Sequence, residues 1–115
     1  EIIIGARKDP QMGPIVMAGM GGIYVEVMKD VAFRSAALNK GEALKMISET
    51  RSYALLLGAR GEDQKDIDVV VDTIIKTATI IRKVPRISDI EINPIVVYEK
   101  GNGVKAVDVR ILITK

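Results

Sequence analysis

Apolar positions change their period along the chain, and those changes divide it into elements. Ile2-Ile3-Ile4 opens a β-branched run and Asp9-Pro10 is a turn signal, so residues 1–9 read as a strand. Pro14-Ile15-Val16-Met17-Ala18-Gly19 reads as a second strand. The polar connection from Lys8 to Gly13 joins them most simply as a hairpin. Beyond Gly19, Gly21 and Gly22, the alternation from Ile23 to Val27 predicts a third strand, and Val31 to Leu38 is a fourth candidate. Asn39-Lys40-Gly41-Glu42 matches a capping box, so a helix starts near Asn39, carries Ala43, Leu44 and Ile47 on one face, and ends near Arg51. Tyr53 to Leu57 is short and apolar, with no assignable period. Gly58 to Lys65 is a loop by composition.

The clearest element runs from Asp66 to Val84. Ile67, Val70, Val71, Ile74, Ala78 and Ile81 keep the 3-4 spacing of a helix, and Asp68, Asp72, Lys76, Thr79 and Lys83 line its opposite face. Acids lie at its start and Arg82 and Lys83 at its end, as the helix dipole prefers. Pro85 closes it. Ile87 to Tyr98 and Val104 to Ile113 read as two long strands around the turn-rich Glu99-Lys100-Gly101-Asn102-Gly103. Strands, two helices and strands, joined by hairpins, predict an α+β fold: an antiparallel sheet with helices packed on one face.

At 115 residues the chain holds one domain at most. Its net charge of +2 and its four aromatics, Tyr24, Phe33, Tyr53 and Tyr98, argue against a nucleic-acid partner read from charge or stacking. No apolar run is long enough to span a membrane. The chain has no Cys and no His, which excludes thiolate chemistry, His-based triads and a phosphohistidine on this chain. Chemistry is left to carboxylates, amides, Lys, Arg, hydroxyls or a hard metal ion held by oxygen. The absence of Cys fits a cytoplasmic protein. The chain enters an apolar run directly after Glu1, as expected of one that begins inside a fold, with an apolar surface exposed along its first strand.

Alternation across the last two strands puts Ile90 and Ile92 on one face and Glu91 and Asn93 on the other; Asp108 and Arg110 likewise part from Val107 and Val109. A two-residue Gly101-Asn102 turn would place Asn93 opposite Arg110, with Asp108 a diagonal neighbour of Asn93. An acid, an amide oxygen, a carboxylate and a cation then share one face. Such a face suits metal–nucleotide chemistry, because Mg²⁺ takes one or two protein oxygens plus substrate phosphates. It equally describes the wet side of a half-buried sheet, which is the commoner case. Gly19-Met20-Gly21-Gly22 suits a tight turn better than a phosphate cradle, since a strand pattern follows it. Glu26, Lys29, Asp30 and Arg34 read as a solvated charged face, and Arg60 as an anion contact or a plain loop residue.

Five segments occur in order: Gly5-x-x-x-Asp9-Pro10-x-x-Gly13-Pro14, Gly19-x-Gly21-Gly22-Ile23-Tyr24-Val25-Glu26, Lys29-Asp30-Val31-Ala32-Phe33-Arg34, Gly58-x-Arg60-Gly61 and Glu91-Ile92-Asn93-Pro94. Together they resemble the beta part of the ADP-forming (NDP-forming) acyl-CoA synthetases, over essentially the whole chain. Met12 and Ala18 stand where that family usually has Phe, and Ala54 where it often has Pro. The resemblance implies that residues 1–115 are the C-terminal half of an ATP-grasp domain whose N-terminal half lies elsewhere. It implies the reaction acyl-CoA + ADP + phosphate to acid, CoA and ATP, through a phosphohistidine on a CoA-binding partner segment or alpha subunit. It implies Asn93 and Asp108 as Mg²⁺ ligands beside ATP or ADP, and Glu91 as an acid facing the phosphohistidine. A second implication is a non-catalytic regulatory module, since similar segments occur fused to acyltransferase domains.

Overall fold

The computed structural model describes residues 1–21, 30–58, 61 and 63–114. Its elements are β1 (Ile2–Asp9), β2 (Gly13–Met20), β3 (Val31–Ser35), α1 (Lys40–Ser48), α2 (Ser52–Leu56), α3 (Ile67–Lys83), β4 (Ile87–Val97), β5 (Val104–Ala106) and β6 (Val109–Ile113). The strands form one antiparallel sheet in the order β3-β2-β1-β4, and β4 pairs with both β5 and β6 on its far side. The α+β arrangement expected from the sequence is therefore present. The third strand expected over Ile23 to Val27 lies outside the described residues, as do Glu26, Lys29 and Arg60.

β1 and β2 meet in the expected hairpin, with Asp9 opposite Gly13. Asp9 shapes the turn itself: its Oδ1 accepts the backbone N–H groups of Gln11 and Met12 at 2.8 and 2.9 Å. Those two amides, Met12 first, hold its carboxyl below the ordinary value of 3.8. At the other end of β2 the chain passes very close to its neighbours. A Cβ on Gly19 would lie 2.0 Å from the Asp30 carbonyl oxygen, and one on Gly21 would lie 2.4 Å from the Ile2 carbonyl. Backbone contact requires these glycines, and Gly19 and Met20 belong to β2 and pair with Ile3 and Ile2, so the tight turn expected there is not found at these two residues.

Ile2, Ile4 and Ala6 of β1, Val16 and Ala18 of β2 and Ile90 of β4 face one side of the sheet. There they pack on Ala43, Met46 and Ile47 of α1 and on Val70, Ile74, Ala78 and Ile81 of α3. The expected apolar stripe of α3 is buried at every position named, with Thr77 added to it. Within α3, Thr73, Thr77 and Thr79 each donate a hydroxyl to the carbonyl four residues back. The expected exposure along β1 is not found. Ile2, Ile3 and Ile4 are 1%, 1% and 0% exposed, because β1 lies inside the sheet, between β2 and β4.

Capping fixes the helix ends. Asn39 and Glu42 form the capping box in both directions. α1 stops at Ser48, short of Arg51. The segment with no assignable period is the short helix α2. Asp30 covers its start, accepting the Arg51 and Ser52 backbone N–H groups at 2.8 and 3.1 Å. Asp30 is thus a helix cap and not part of a solvated charged face, and Arg34 pairs with Glu49. At the far end of α3, Lys8 Nζ reaches the carbonyls of Val84, Pro85 and Ile87 at 2.8, 2.8 and 2.6 Å. A cation at a helix C-terminus also meets the favourable end of the dipole.

Candidate functional site

The face of the sheet away from the helices carries the candidate chemistry, and strand register decides what meets what. Val97 pairs with Val104, and the Tyr98 N–H donates to the Gly103 carbonyl at 3.0 Å. The β4–β5 loop is therefore the four residues Glu99 to Asn102, not the two-residue Gly101-Asn102 turn expected. A longer loop wins because Asp66 holds it. Asp66 is buried, only 5% exposed. Its Oδ2 accepts the Gly101 and Gly103 N–H groups at 3.1 and 2.8 Å, while Oδ1 caps α3 through Val69 N–H at 3.4 Å. Lys100 N–H adds a bond to the Gln64 carbonyl at 2.9 Å.

Two residues and four share the same parity, and the partners shift by two positions. Glu91 now lies directly opposite Arg110. Asn93 lies opposite Asp108, its backbone N–H donating to the Asp108 carbonyl at 3.0 Å. The single long strand expected over Val104 to Ile113 is broken at Val107-Asp108 into β5 and β6. The break faces the cis Asn93-Pro94 bond of β4. Against β1 the same place is a bulge: Ile2 pairs with Ile95 but Ile4 with Ile92, so β4 holds one residue more. Ile90 and Ile92 before the bulge, and Ile95 and Val97 after it, all reach the core side. Asn93 and Pro94 fill the interval, where a bulge re-aims side chains.

Three rows cross the open face. One runs Phe33, Met17, Gly5, Glu91, Arg110, each opposite the next. The second runs Ser35, Ile15, Arg7, Asp89, Leu112. The third passes from Gly19 through Ile3 to the bulge and Asp108. The first row floors a cavity of about 300 Å³. At Gly5 the floor is close-packed: a Cβ there would come within 3.1 Å of the Ile90 carbonyl oxygen and 3.5 Å of the Met17 side chain. One end of the cavity is apolar, at Met17 and Phe33, and the other is charged, at Glu91 and Arg110. Glu91, Asp108 and Arg110 are exposed and Asn93 is half-buried. Among the described residues no three His, Cys, Asp or Glu side chains cluster as a metal site. Sequence reasoning missed Asp66 as the support of the hairpin, although its place before the α3 stripe marked it as a cap. It also missed the bulge, whose signal was the slip from Ile90 and Ile92 to Ile95 and Val97.

The sequence model of the ATP-grasp domain covers residues 1–113. The chain belongs to the ATP-grasp family. It is 46% identical over 113 residues to the beta subunit of acetate–CoA ligase (ADP-forming) I of Pyrococcus furiosus, covering 98% of this chain and 48% of that subunit. It is 42% identical to the 4-hydroxybutyrate–CoA ligase (ADP-forming) of Nitrosopumilus maritimus, covering 96% of this chain and 16% of that enzyme. Among solved ATP-grasp structures, it resembles acetyl-coenzyme A synthetase 1 of Ca. Korarchaeum cryptofilum. The TM-score is 0.93 at 42% identity, over 98% of this chain and 52% of that one. That structure holds coenzyme A and Mg-AMPPCP, with its phosphohistidine segment pointing towards the nucleotide binding site. This ATP-grasp chain thus spans about half the length of the beta subunit it matches. Among its described residues no helix is long and apolar enough to cross a membrane.

Proposed function

We propose that these residues are the C-terminal half of the ATP-grasp domain of an ADP-forming acyl-CoA synthetase, and that their open face is its phosphoryl-transfer surface. The reaction is acyl-CoA + ADP + phosphate to carboxylic acid, CoA and ATP, reversibly. The N-terminal half of the domain closes over the nucleotide phosphates, and a CoA-binding partner segment supplies the phosphohistidine that this chain, lacking His, cannot. The observation that carries the reading is the direct opposition of Asn93 and Asp108. Directly opposed side chains stand about 4.5–5.5 Å apart at Cβ. One amide oxygen and one carboxylate are hard donors, and two protein oxygens are what Mg²⁺ takes when phosphates complete its shell. Asn93 and Asp108 would hold it, and when bound it would offset charge on the phosphate oxygens.

The chain's own residues then divide the work. Phosphoryl transfer needs positioning and charge neutralisation more than covalent help from the protein. Glu91, one same-face position from Asn93, accepts a hydrogen bond from the free ring N–H of the incoming histidine and so fixes the ring's orientation. Met17 and Phe33 supply apolar surface against which a ring or a loop packs. The regulatory-module reading is not favoured, because the curated relatives named above are ligases.

The test uses the complete synthetase. Asp108→Asn removes the one anionic oxygen of the pair while leaving the backbone bond to Asn93 in place. Phosphorylation of the partner histidine by ATP should slow by about a hundredfold, or ~3 kcal/mol of barrier, with recovery at raised Mg²⁺. A variant with a wild-type rate at limiting Mg²⁺ would overturn the assignment.

A further inference from the structure

Arg110 has no role in the arrangement above, yet its position is specific. It lies directly opposite Glu91, at the charged end of the cavity, and the next same-face pair along the strands is Asn93 and Asp108. A cation and an acid facing each other across an antiparallel pair ordinarily join. Here they do not: among the described residues Arg110 makes no ion pair and no side-chain hydrogen bond. Arg110 lines the cavity with its side-chain donors unspent, and it stays charged at every working pH.

We propose that Arg110 is a catalytic residue that holds the phosphoryl group in transit between nucleotide and histidine. This rests on the synthetase reading given above. The need for such a cation follows from Glu91. A carboxylate placed to receive the ring N–H also repels the phosphoryl group that the ring is to accept. A guanidinium directly across the strand pair removes that conflict. Glu91 takes the ring, Arg110 takes two phosphoryl oxygens in its planar fork, and the two charges stay apart because each has its own substrate partner. At the apolar end of the cavity the Met17 side chain lies over Gly5 and offers the incoming ring a surface to pack against.

In the transfer itself, the bond from the terminal phosphorus to its bridging oxygen breaks, and that oxygen leaves on ADP with the electron pair. A phosphorus–nitrogen bond forms to the lone pair of the neutral imidazole. The other ring nitrogen keeps its proton, hydrogen-bonded to Glu91, and the ring carries the balancing positive charge. Arg110 donates throughout to the phosphoryl oxygens and exchanges no proton.

The experiment measures phosphohistidine formation in the complete synthetase from each side separately: from ATP, and from acetyl-CoA with inorganic phosphate. Arg110→Gln should slow the ATP side by about 10²–10³-fold, as for loss of one preorganised donor to developing charge, and leave the acetyl-CoA side unchanged. Arg110→Lys should recover part of the loss, since it keeps the charge and loses the fork. An Arg110→Gln enzyme with a wild-type ATP side, or one slowed equally on both sides, overturns the proposal. Asp108→Asn run in parallel separates the two claims. If it is slow while Arg110→Gln is normal, only the role of Arg110 falls; if both are normal, the synthetase reading of this face falls with it.

Discussion

Asn93 and Asp108 are direct partners across β4 and the β5–β6 break, joined by a 3.0 Å backbone hydrogen bond from the Asn93 N–H to the Asp108 carbonyl. The same bond sets the register, and the proposed site has one object in front of the sheet engage both side chains. If that object is shared, their contributions cannot be independent. Asn93→Ala and Asp108→Ala should each cost the complete enzyme most of its ATP-side rate, and the double variant should cost little more than the worse single one. Additive losses in the double-mutant cycle would mean that the two side chains serve separate ends.

Asp66 is expected to be worth more than a helix cap. It satisfies Val69, Gly101 and Gly103 amides at once, from a nearly buried position. Asp66→Ala should destabilise the domain by about 2–3 kcal/mol, the sum of a lost cap and lost charge-assisted bonds. Asp66→Asn, which keeps one acceptor oxygen, should lose less. Denaturant unfolding of the three proteins gives the order, and equal stabilities would show that water replaces the carboxylate.

Lys8 closes the carbonyl end of α3 from a strand 76 or more residues away. Lys8→Met keeps the aliphatic stem and removes three donated bonds. A loss of about 1–2 kcal/mol is expected, with faster amide exchange confined to the last turn of α3 and the start of β4. Uniform exchange across the domain would argue against a local cap.

Asp9 gives the β1–β2 turn a pH dependence of known sign. Its folded carboxyl titrates below 3.8 because the Met12 and Gln11 amides favour the ionised form. The unfolded chain therefore takes up the proton at higher pH than the folded one. Stability from this group is full above about pH 4 and falls as the pH drops through the lower folded value. Asp9→Asn should flatten that limb of the stability curve. An Asp9 carboxyl resonance with a midpoint above 3.8 would refute the direction.

Where sequence and structure agree, a periodic or local signal was present. The α3 stripe, the Asn39–Glu42 box and the β1–β2 hairpin all depend on residues a few positions apart, which a pattern can display. Glu91 stands opposite Arg110 and Asn93 opposite Asp108, pairings that an even loop count permits. The failures are of another kind. The loop length was settled by Asp66, about 35 residues away from the amides it binds, and no local rule reaches that far. Asp30 looked like part of a charged surface because the amides it caps belong to a helix 21 and 22 residues on. The burial of β1 came from its place between β2 and β4, which is a fact of topology and not of its own three isoleucines.

The four-residue loop from Glu99 to Asn102 works as a parity counter for the open face. Each residue added to or taken from it slides one strand past the other, and only even steps return the same side chains to the same side. A single insertion there would move Arg110 out of its place opposite Glu91 and Asp108 out of its place opposite Asn93. Homologues should therefore vary this loop in twos, or not at all, and a designer who wished to lengthen it would have to respect the same arithmetic.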